Sequence, residues 1–272
     1  MKVMDDIMRL IQQHQSTDLD LPYFVYSSTY EQNILNIPVA KPLLIFVISG
    51  EKKIGRDLEL TCQTGSFIFL SDNPSVHMRN IPNKKKYIAI VIEFNHHDFA
   101  GLPISHTDHK IDCLVGKTTD EIEHCLRQFI EISAWAPQSI VSSRKKELLL
   151  LLYHLGHQDV ALMVGRPKVS LKIHELLIKR DFHEVTTDKI CATLAMSEST
   201  LRRKLKAENT SIKEIKDRAR LGLGLHLLQT TEQSINLIAE QCGYLSQSRF
   251  TQNFKQRFGL TPTELRRTKR LA

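Results

Sequence analysis

Between Pro22 and Phe94 the apolar residues come in short runs or alternate with polar ones. Leu58-Glu59-Leu60-Thr61-Cys62-Gln63 alternates strictly, while Leu43 to Ile48, Phe67 to Leu70 and Tyr87 to Phe94 are short apolar runs. Turn-forming stretches separate them: Ser49-Gly50-Glu51, Thr64-Gly65-Ser66, Ser71-Asp72-Asn73-Pro74 and Pro82-Asn83-Lys84. Short strands punctuated this often predict a small all-β barrel or sandwich. After Gly116 the period lengthens to that of a helix. Ile122, Cys125, Leu126, Phe129, Ile130 and Ser133 share one helical face, and Trp135-Ala136-Pro137 ends it. A second helix is expected from about Ser142 to Leu155. Its Leu148 to Leu152 stretch is apolar all round, which suits burial against the sheet or sharing with a second subunit. The signal weakens from Gly156 to Ser170, where Gly165 and Pro167 mark a linker.

The remaining residues carry one pattern written twice. Cys191, Ala195 and Met196 recur as Ala239, Gly243 and Tyr244; Ser197 recurs as Ser246, so the second turn has one extra residue. Leu201 and Leu205 recur as Phe250 and Phe254. A small residue four before a turn, then an apolar i, i+4 pair, is the logic of a helix-turn-helix. Thr261-Pro262-Thr263-Glu264 reads as a capping box with Pro at the first helical position, and Ser211-Ile212-Lys213-Glu214 as its counterpart. Asn209 and Gly259 precede these boxes as left-handed helix ends. Between the copies, Ser211 to Gln229 predicts one helix of roughly 28 Å, enough to set two recognition helices about one DNA turn, ~34 Å, apart. On the second helix of each copy, Ser199, Arg203 and Lys206 point away from the apolar pair with Arg202 on the flank. Ser248, Gln252 and Lys255 do the same in the other copy, with Gln247 near the start of its helix. Arg pairs bidentately with guanine and Gln with adenine, while Lys206, Lys255, Arg249 and Arg257 suit phosphates.

Charge sharpens this. The 272 residues carry 37 Lys+Arg and 30 Asp+Glu, a net of +7. Up to Gly165 there are 16 basic and 19 acidic residues; from Arg166 onward, 21 and 11. A −3 half beside a +10 half points to a polyanionic partner for the second. The length suits two domains, 1–160 and 166–272. Five scattered cysteines without a CxxC pair argue against disulfides or structural zinc and fit the reducing cytoplasm. No apolar stretch is long enough to span a membrane, and the opening MKVMDDIMRL is no secretory signal. His96, His97, His106 and His109, with Asp98 and Asp108, gather in one loop without HxH, HxxxH or HExxH spacing, so solvated histidines are expected and no metal. No P-loop, GxGxxG or catalytic triad spacing occurs, and no cofactor is called for. The expectation is therefore not an enzyme.

Residues 186–268 resemble the DNA-binding domain of the AraC/XylS family of bacterial transcription regulators. The resemblance rests on MSESTLRRKLK (196–206), RL (220–221), LLQTT (227–231), SINLIAEQCGYLSQSRFTQNFKQRFGLTP (234–262) and ELRR (264–267). It implies that the base readers are Ser199, Arg202, Arg203, Gln247, Ser248 and Gln252, and that Thr251 and Asn253 join the backbone contacts. Gly222 and Gly224 depart from the pattern; each weakens a helix interior by about 1 kcal/mol relative to Ala, and either permits close packing or loosens the strut. Asn209 stands where the family usually has Gly. The first half is similar to the family's cupin-like sensory barrel followed by dimerising helices, without a specific motif; His77 stands alone among the strands. The implied fold is α+β: a cupin-like β-barrel with two following helices, then an all-α domain with two helix-turn-helix motifs joined by a long helix. The implied function is a sequence-specific transcriptional activator that binds double-stranded DNA, works with RNA polymerase, answers to a small effector or regulatory protein, and acts as a homodimer away from any membrane. Two other readings stay open on the residues: a cupin-type metalloenzyme fused to a DNA-binding module, and a nonspecific architectural DNA-binding protein.

Overall fold

A computed structural model describes residues 2–15, 21–83, 86–103, 111–164, 168–179, 182 and 184–269. Its first half is built in three layers. Strands β1 (Phe24–Ser28), β3 (Leu43–Ser49), β6 (Ser66–Leu70), β8 (Tyr87–Glu93) and β9 (Cys113–Lys117) form an antiparallel sheet in the order β1-β8-β3-β6-β9. Strands β2 (Gln32–Val39), β4 (Glu51–Ile54), β5 (Leu60–Gln63) and β7 (Asn73–Ile81) form a second, in the order β2-β7-β4-β5. The helices α1 (Lys2–Gln15), α2 (Asp120–Ser133) and α3 (Gln138–His154) cover the outer face of the first sheet.

The apolar runs follow from this layering. In β3, Leu44, Phe46 and Ile48 pack against the helices, while Ile45 and Val47 pack against the second sheet. A strand buried on both faces reads as a continuous run. The two sheets stack without a ladder between them among the described residues, so the expected barrel is an open sandwich-like one. Periodicity reports which face a residue takes, not which strand it pairs with. The alternation expected from Leu58 begins at Leu60, because Leu58 sits in the preceding turn at φ 54°.

Helix α2 buries Ile122, Cys125, Leu126, Phe129 and Ile130, the face the spacing predicts. Helix α3 starts four residues earlier than expected. It buries Leu148, Leu149 and Leu152 but leaves Leu150 exposed, so the apolar stretch serves the sheet first. Gly165 and Pro167 lie outside the described residues.

The second half is helical: α4 (Val169–Ile178), α5 (Thr187–Leu194), α6 (Glu198–Ala207), α7 (Ile212–Thr230), α8 (Ile235–Gln241), α9 (Gln247–Phe258) and α10 (Pro262–Arg267). The 19-residue α7 joins two separate cores. At one end Ile215 and Ala219 pack with Ile190, Leu201 and Leu205; at the other Leu225 and Leu228 pack with Ile238, Phe250, Phe254 and Phe258. Gly224 lies at this second contact. A Cβ there would stand 2.7 Å from the Phe250 ring, so the glycine permits close packing.

The halves are docked through β2. Ile34, 1% exposed, belongs to the core around Phe250 and Phe258. The β2–β7 register shifts between Ile34 and Ile37, where Asn36 takes φ 49°, and the Asn36 amide donates to the Arg257 carbonyl at 3.0 Å. Leu35 lies over Gly259. The Thr29 and Tyr30 amides donate to the Thr268 carbonyl at 2.7 and 3.2 Å.

Candidate nucleic-acid interface

Each repeated segment closes in the same way. The turn after α5 is made by Ala195 at φ 49°, with Met196 N donating to the Cys191 carbonyl at 3.0 Å. The turn after α8 is made by Gly243 at φ 74°, with Tyr244 N donating to the Ala239 carbonyl at 2.9 Å. These donor–acceptor pairs are the residues the repeat aligns. Glycine is needed at the second turn on two grounds, its positive φ and the Phe182 Cβ that an added Cβ would meet at 2.9 Å. The extra residue of that turn is Leu245, 93% exposed. Serines then cap both following helices: Ser197 accepts from Thr200 N at 3.3 Å and Ser246 from Arg249 N at 3.4 Å.

The far ends follow the sequence too. Asn209 adopts φ 52° and Gly259 φ 80°. The Thr261–Glu264 capping box forms in both directions, at 2.6 and 3.2 Å. Only half of the Ser211 box forms. Ser211 accepts from Glu214 N at 3.2 Å, but the Glu214 carboxylate turns to Arg218 and to the Thr210 hydroxyl.

Between these caps, α6 buries Leu201 and Leu205, and α9 buries Phe250, Phe254 and Phe258. The opposite faces meet solvent. Ser199, Arg202, Arg203 and Lys206 are exposed on α6, as are Gln247, Ser248, Arg249, Gln252 and Lys255 on α9. Arg202 is held by Glu198 at 2.6 and 3.0 Å. Arg203, Arg249 and Lys255 make no ion pair among the described residues. Thr251 and Asn253 are half-buried. Asn253 hydrogen-bonds Tyr244, a bond that opposes the rise that burial imposes on the Tyr244 hydroxyl pKa. Arg257 is half-buried as well; burial and the nearby Arg218 lower its pKa, against Glu214 and Asp217. It is thus placed among the charges of α7 rather than on the open face with Gln252 and Lys255.

Of the loop histidines, His96 and His97 lie among the described residues. Asp98 is buried, accepting from Asn95 N at 2.7 Å and pairing with Lys145 at 3.1 Å and His97 at 3.2 Å. His106, Asp108 and His109 lie outside the described residues, and no group of three metal-ligating side chains occurs among those described. His77 lies 3.3 Å from the Asn36 amide oxygen.

A second feature was not anticipated. A cavity of about 390 Å³ lies between the inner faces of the sheets and the helices α4 and α7. Phe24, Ile45, Met78 and Val91 line it from the sheets, Leu223 and His226 from α7. His226 packs on Phe24 with ring centres 4.4 Å apart and lies 3.1 Å from the Tyr26 hydroxyl. Lys52 borders it too, although it is 5% exposed. One signal was present in the sequence: Lys52 alternates with Ile54 in β4 and therefore takes the inward face.

Two matched helix-turn-helix units at the ends of one helix, each with an open polar face, define a DNA-binding domain of the transcription-regulator class. Residues 190–268 match the family described as a helix-turn-helix domain. The chain is 32% identical over 126 residues to the HTH-type transcriptional regulator GadX of Escherichia coli K12, covering 44% of this chain and 46% of that one. It is 39% identical over 98 residues to the HTH-type transcriptional regulator YdeO of the same strain, covering 36% and 38%. The matches thus span less than half the length of these relatives. The two-part fold is that of ToxT from Vibrio cholerae, with a TM-score of 0.65 at 16% identity over 91% of this chain and 98% of that one. ToxT has also been solved with an unsaturated fatty acid bound, and that structure matches with a TM-score of 0.62 at 16% identity, covering 91% and 95%. Among the described residues no helix is long and apolar enough to cross a membrane.

Proposed function

We propose that this protein is a sequence-specific regulator of transcription, an activator rather than an enzyme, whose DNA-binding helices answer to a small molecule held in the cavity beside α7. The observation that carries the DNA reading is the pair of solvent-facing polar stripes, Ser199-Arg202-Arg203 on α6 and Gln247-Ser248-Gln252 on α9, fixed at opposite ends of α7. These six residues are the proposed base readers. Lys206, Arg249 and Lys255 are the proposed phosphate contacts, with Thr251 and Asn253 beside them. Arg257 belongs instead to the packing of α9 on α7. GadX and YdeO, which this chain resembles over part of its length, support the regulatory role.

The control reading rests on position. Residues 1–160 supply most of the cavity wall and 166–272 the rest, so an occupant touches both proposed domains at once. An effector shifts an equilibrium only through a difference in its affinity for two states. A cavity whose walls belong to both halves provides that difference when their docking changes. The ToxT structure with a bound fatty acid supports an apolar effector. A homodimer through the α2–α3 face, where Trp135 and Ile140 are exposed, and a contact with RNA polymerase complete the proposal. Competition binding tests its core. A preferred duplex should resist a large excess of scrambled duplex, whereas equal competition would leave an architectural protein.

A further inference from the structure

The second helix-turn-helix leaves an apolar side chain in solvent beside its polar face. Gly243 at φ 74° and Tyr244 close the turn, and Tyr244 goes inward: its ring centre lies 5.3 Å from that of Phe250, and it hydrogen-bonds Asn253. Ser246 commits its hydroxyl to the cap of α9. Leu245, between them, is 93% exposed, the most exposed large apolar residue among those described. The first turn is one residue shorter. It passes from Met196 straight to its cap, Ser197, and offers no counterpart. Turns of this kind favour Gly, Asn, Asp or Ser, and a leucine left in water contributes no burial to the fold. The residues that follow the cap, Gln247, Ser248 and Arg249, are exposed and polar, and α9 carries no acidic residue.

We propose that Leu245 reads a thymine, its side chain seated on the C5-methyl group of a T·A pair within the segment that α9 contacts. A recognition helix meets base edges with its N-terminal residues, and Leu245 stands immediately before the N-cap of α9. The major groove presents donors and acceptors, which suit Gln247 and Ser248, and one apolar feature, the thymine methyl, which suits a leucine. A protein partner fits this surface less well. A stable protein interface takes about 800 Å² from each partner, and here a single leucine stands among Ser246, Gln247 and Ser248. One methyl group needs only one apolar contact. The extra residue of the second turn therefore gives the α9 unit a selectivity that the α6 unit lacks. This inference rests on the reading of α9 as a base-reading helix and adds a specificity-determining residue and the base it selects.

The test measures binding of the full chain to a duplex selected from random sequence, in which each thymine of the α9 segment is replaced singly by deoxyuridine. That change removes the C5-methyl group alone, and the α9 segment is the one where Gln252→Ala relaxes selection. One fixed thymine should matter, its replacement weakening binding about fourfold, the effect expected of one buried methyl group. Leu245→Ala should weaken binding to the thymine duplex by at least as much, bind the thymine and deoxyuridine duplexes alike, and accept any base at that position on selection. It should melt with the parent, because the side chain it shortens is exposed. Leu245→Met keeps the apolar reach and should keep the preference for thymine. A parent chain indifferent to deoxyuridine at every thymine of the segment would overturn the proposal, as would a Leu245→Ala variant that discriminates as the parent does. A chain that selects no duplex at all sinks the regulatory reading and this one with it. A chain with a clear site whose thymines all tolerate deoxyuridine sinks this one alone.

Discussion

Arg203 offers the sharpest single perturbation of the proposed DNA face. It projects from the middle of α6 into solvent, opposite the buried Leu201 and Leu205, and no ion pair holds it among the described residues. Replacing it by Ala removes no packing, so folding stability should change by no more than about 0.5 kcal/mol. On DNA the loss should be larger and selective. A bidentate Arg–guanine pair contributes about 1–3 kcal/mol of discrimination, or about 5- to 150-fold. Arg202 calibrates the scale, because its guanidinium is tied to Glu198 at 2.6 Å and must leave that pair to reach a base. An exposed i, i+4 pair is worth about 0.3–0.5 kcal/mol, so Arg202→Ala should cost less in binding by about that amount if both make the same contact. Fluorescence anisotropy at fixed salt, on a selected duplex and on its scrambled counterpart, measures the difference. Arg203→Ala should weaken the first far more than the second. Equal weakening on both would show that Arg203 holds phosphate, and the assignment of the α6 face as a base reader would fall with it.

Other consequences are distinct. Lys255→Ala should weaken all duplexes alike and lower the slope of log affinity against log salt by about 0.9, the signature of one phosphate contact; an unchanged slope contradicts that role. Ile34→Ala empties a site in the core around Phe250 and Phe258, and a buried Ile→Ala change costs about 2–5 kcal/mol. Calorimetry should show the lowered melting in the transition that includes α9, and a change confined to the sheets would refute the docking through β2. Burial and the nearby Lys41 lower the His174 pKa from 6.5 to about 4, and burial also lowers that of His226. His174 is therefore neutral near pH 7. Its contribution is fully present above about pH 6.5 and is lost as pH falls from there toward 4, by up to about 1.4 kcal/mol per pH unit. Denaturant midpoints that stay flat over that window in the parent chain, or that fall as steeply in His174→Phe, would contradict this.

The helix-turn-helix half was legible because its determinants are local. Caps at Ser197, Ser246 and Thr261, left-handed ends at Asn209 and Gly259, and apolar pairs four apart all act within one or two turns of chain. The repeat let each copy check the other. What α6 and α9 leave exposed also followed from period alone, whereas the half-burial of Arg257 did not: it lies near Glu214, Asp217 and Arg218 of α7, some 40 residues away in sequence. The strands were legible as faces but not as neighbours. Helix α1 was passed over, although Ile7 and Ile11 stand four apart and are both buried; the opening residues had been weighed only as a signal peptide. Strand β9 was hidden because its residues are only partly buried at a sheet edge. The cavity had little local signature beyond the inward place of Lys52, two residues before Ile54; Tyr26 and His226, which meet across it, are 200 residues apart.

The central claim, that two helices at the ends of α7 read one DNA site, is tested most directly by selecting binding duplexes from random sequence and footprinting the winner with hydroxyl radicals. The account predicts an asymmetric site with two protected major-groove segments about one helical turn, roughly 10 base pairs, apart on one face of the duplex. It predicts that Arg203→Ala relaxes selection in one segment and Gln252→Ala in the other. A pool that stays random, or a single segment sensitive to both substitutions, would contradict it.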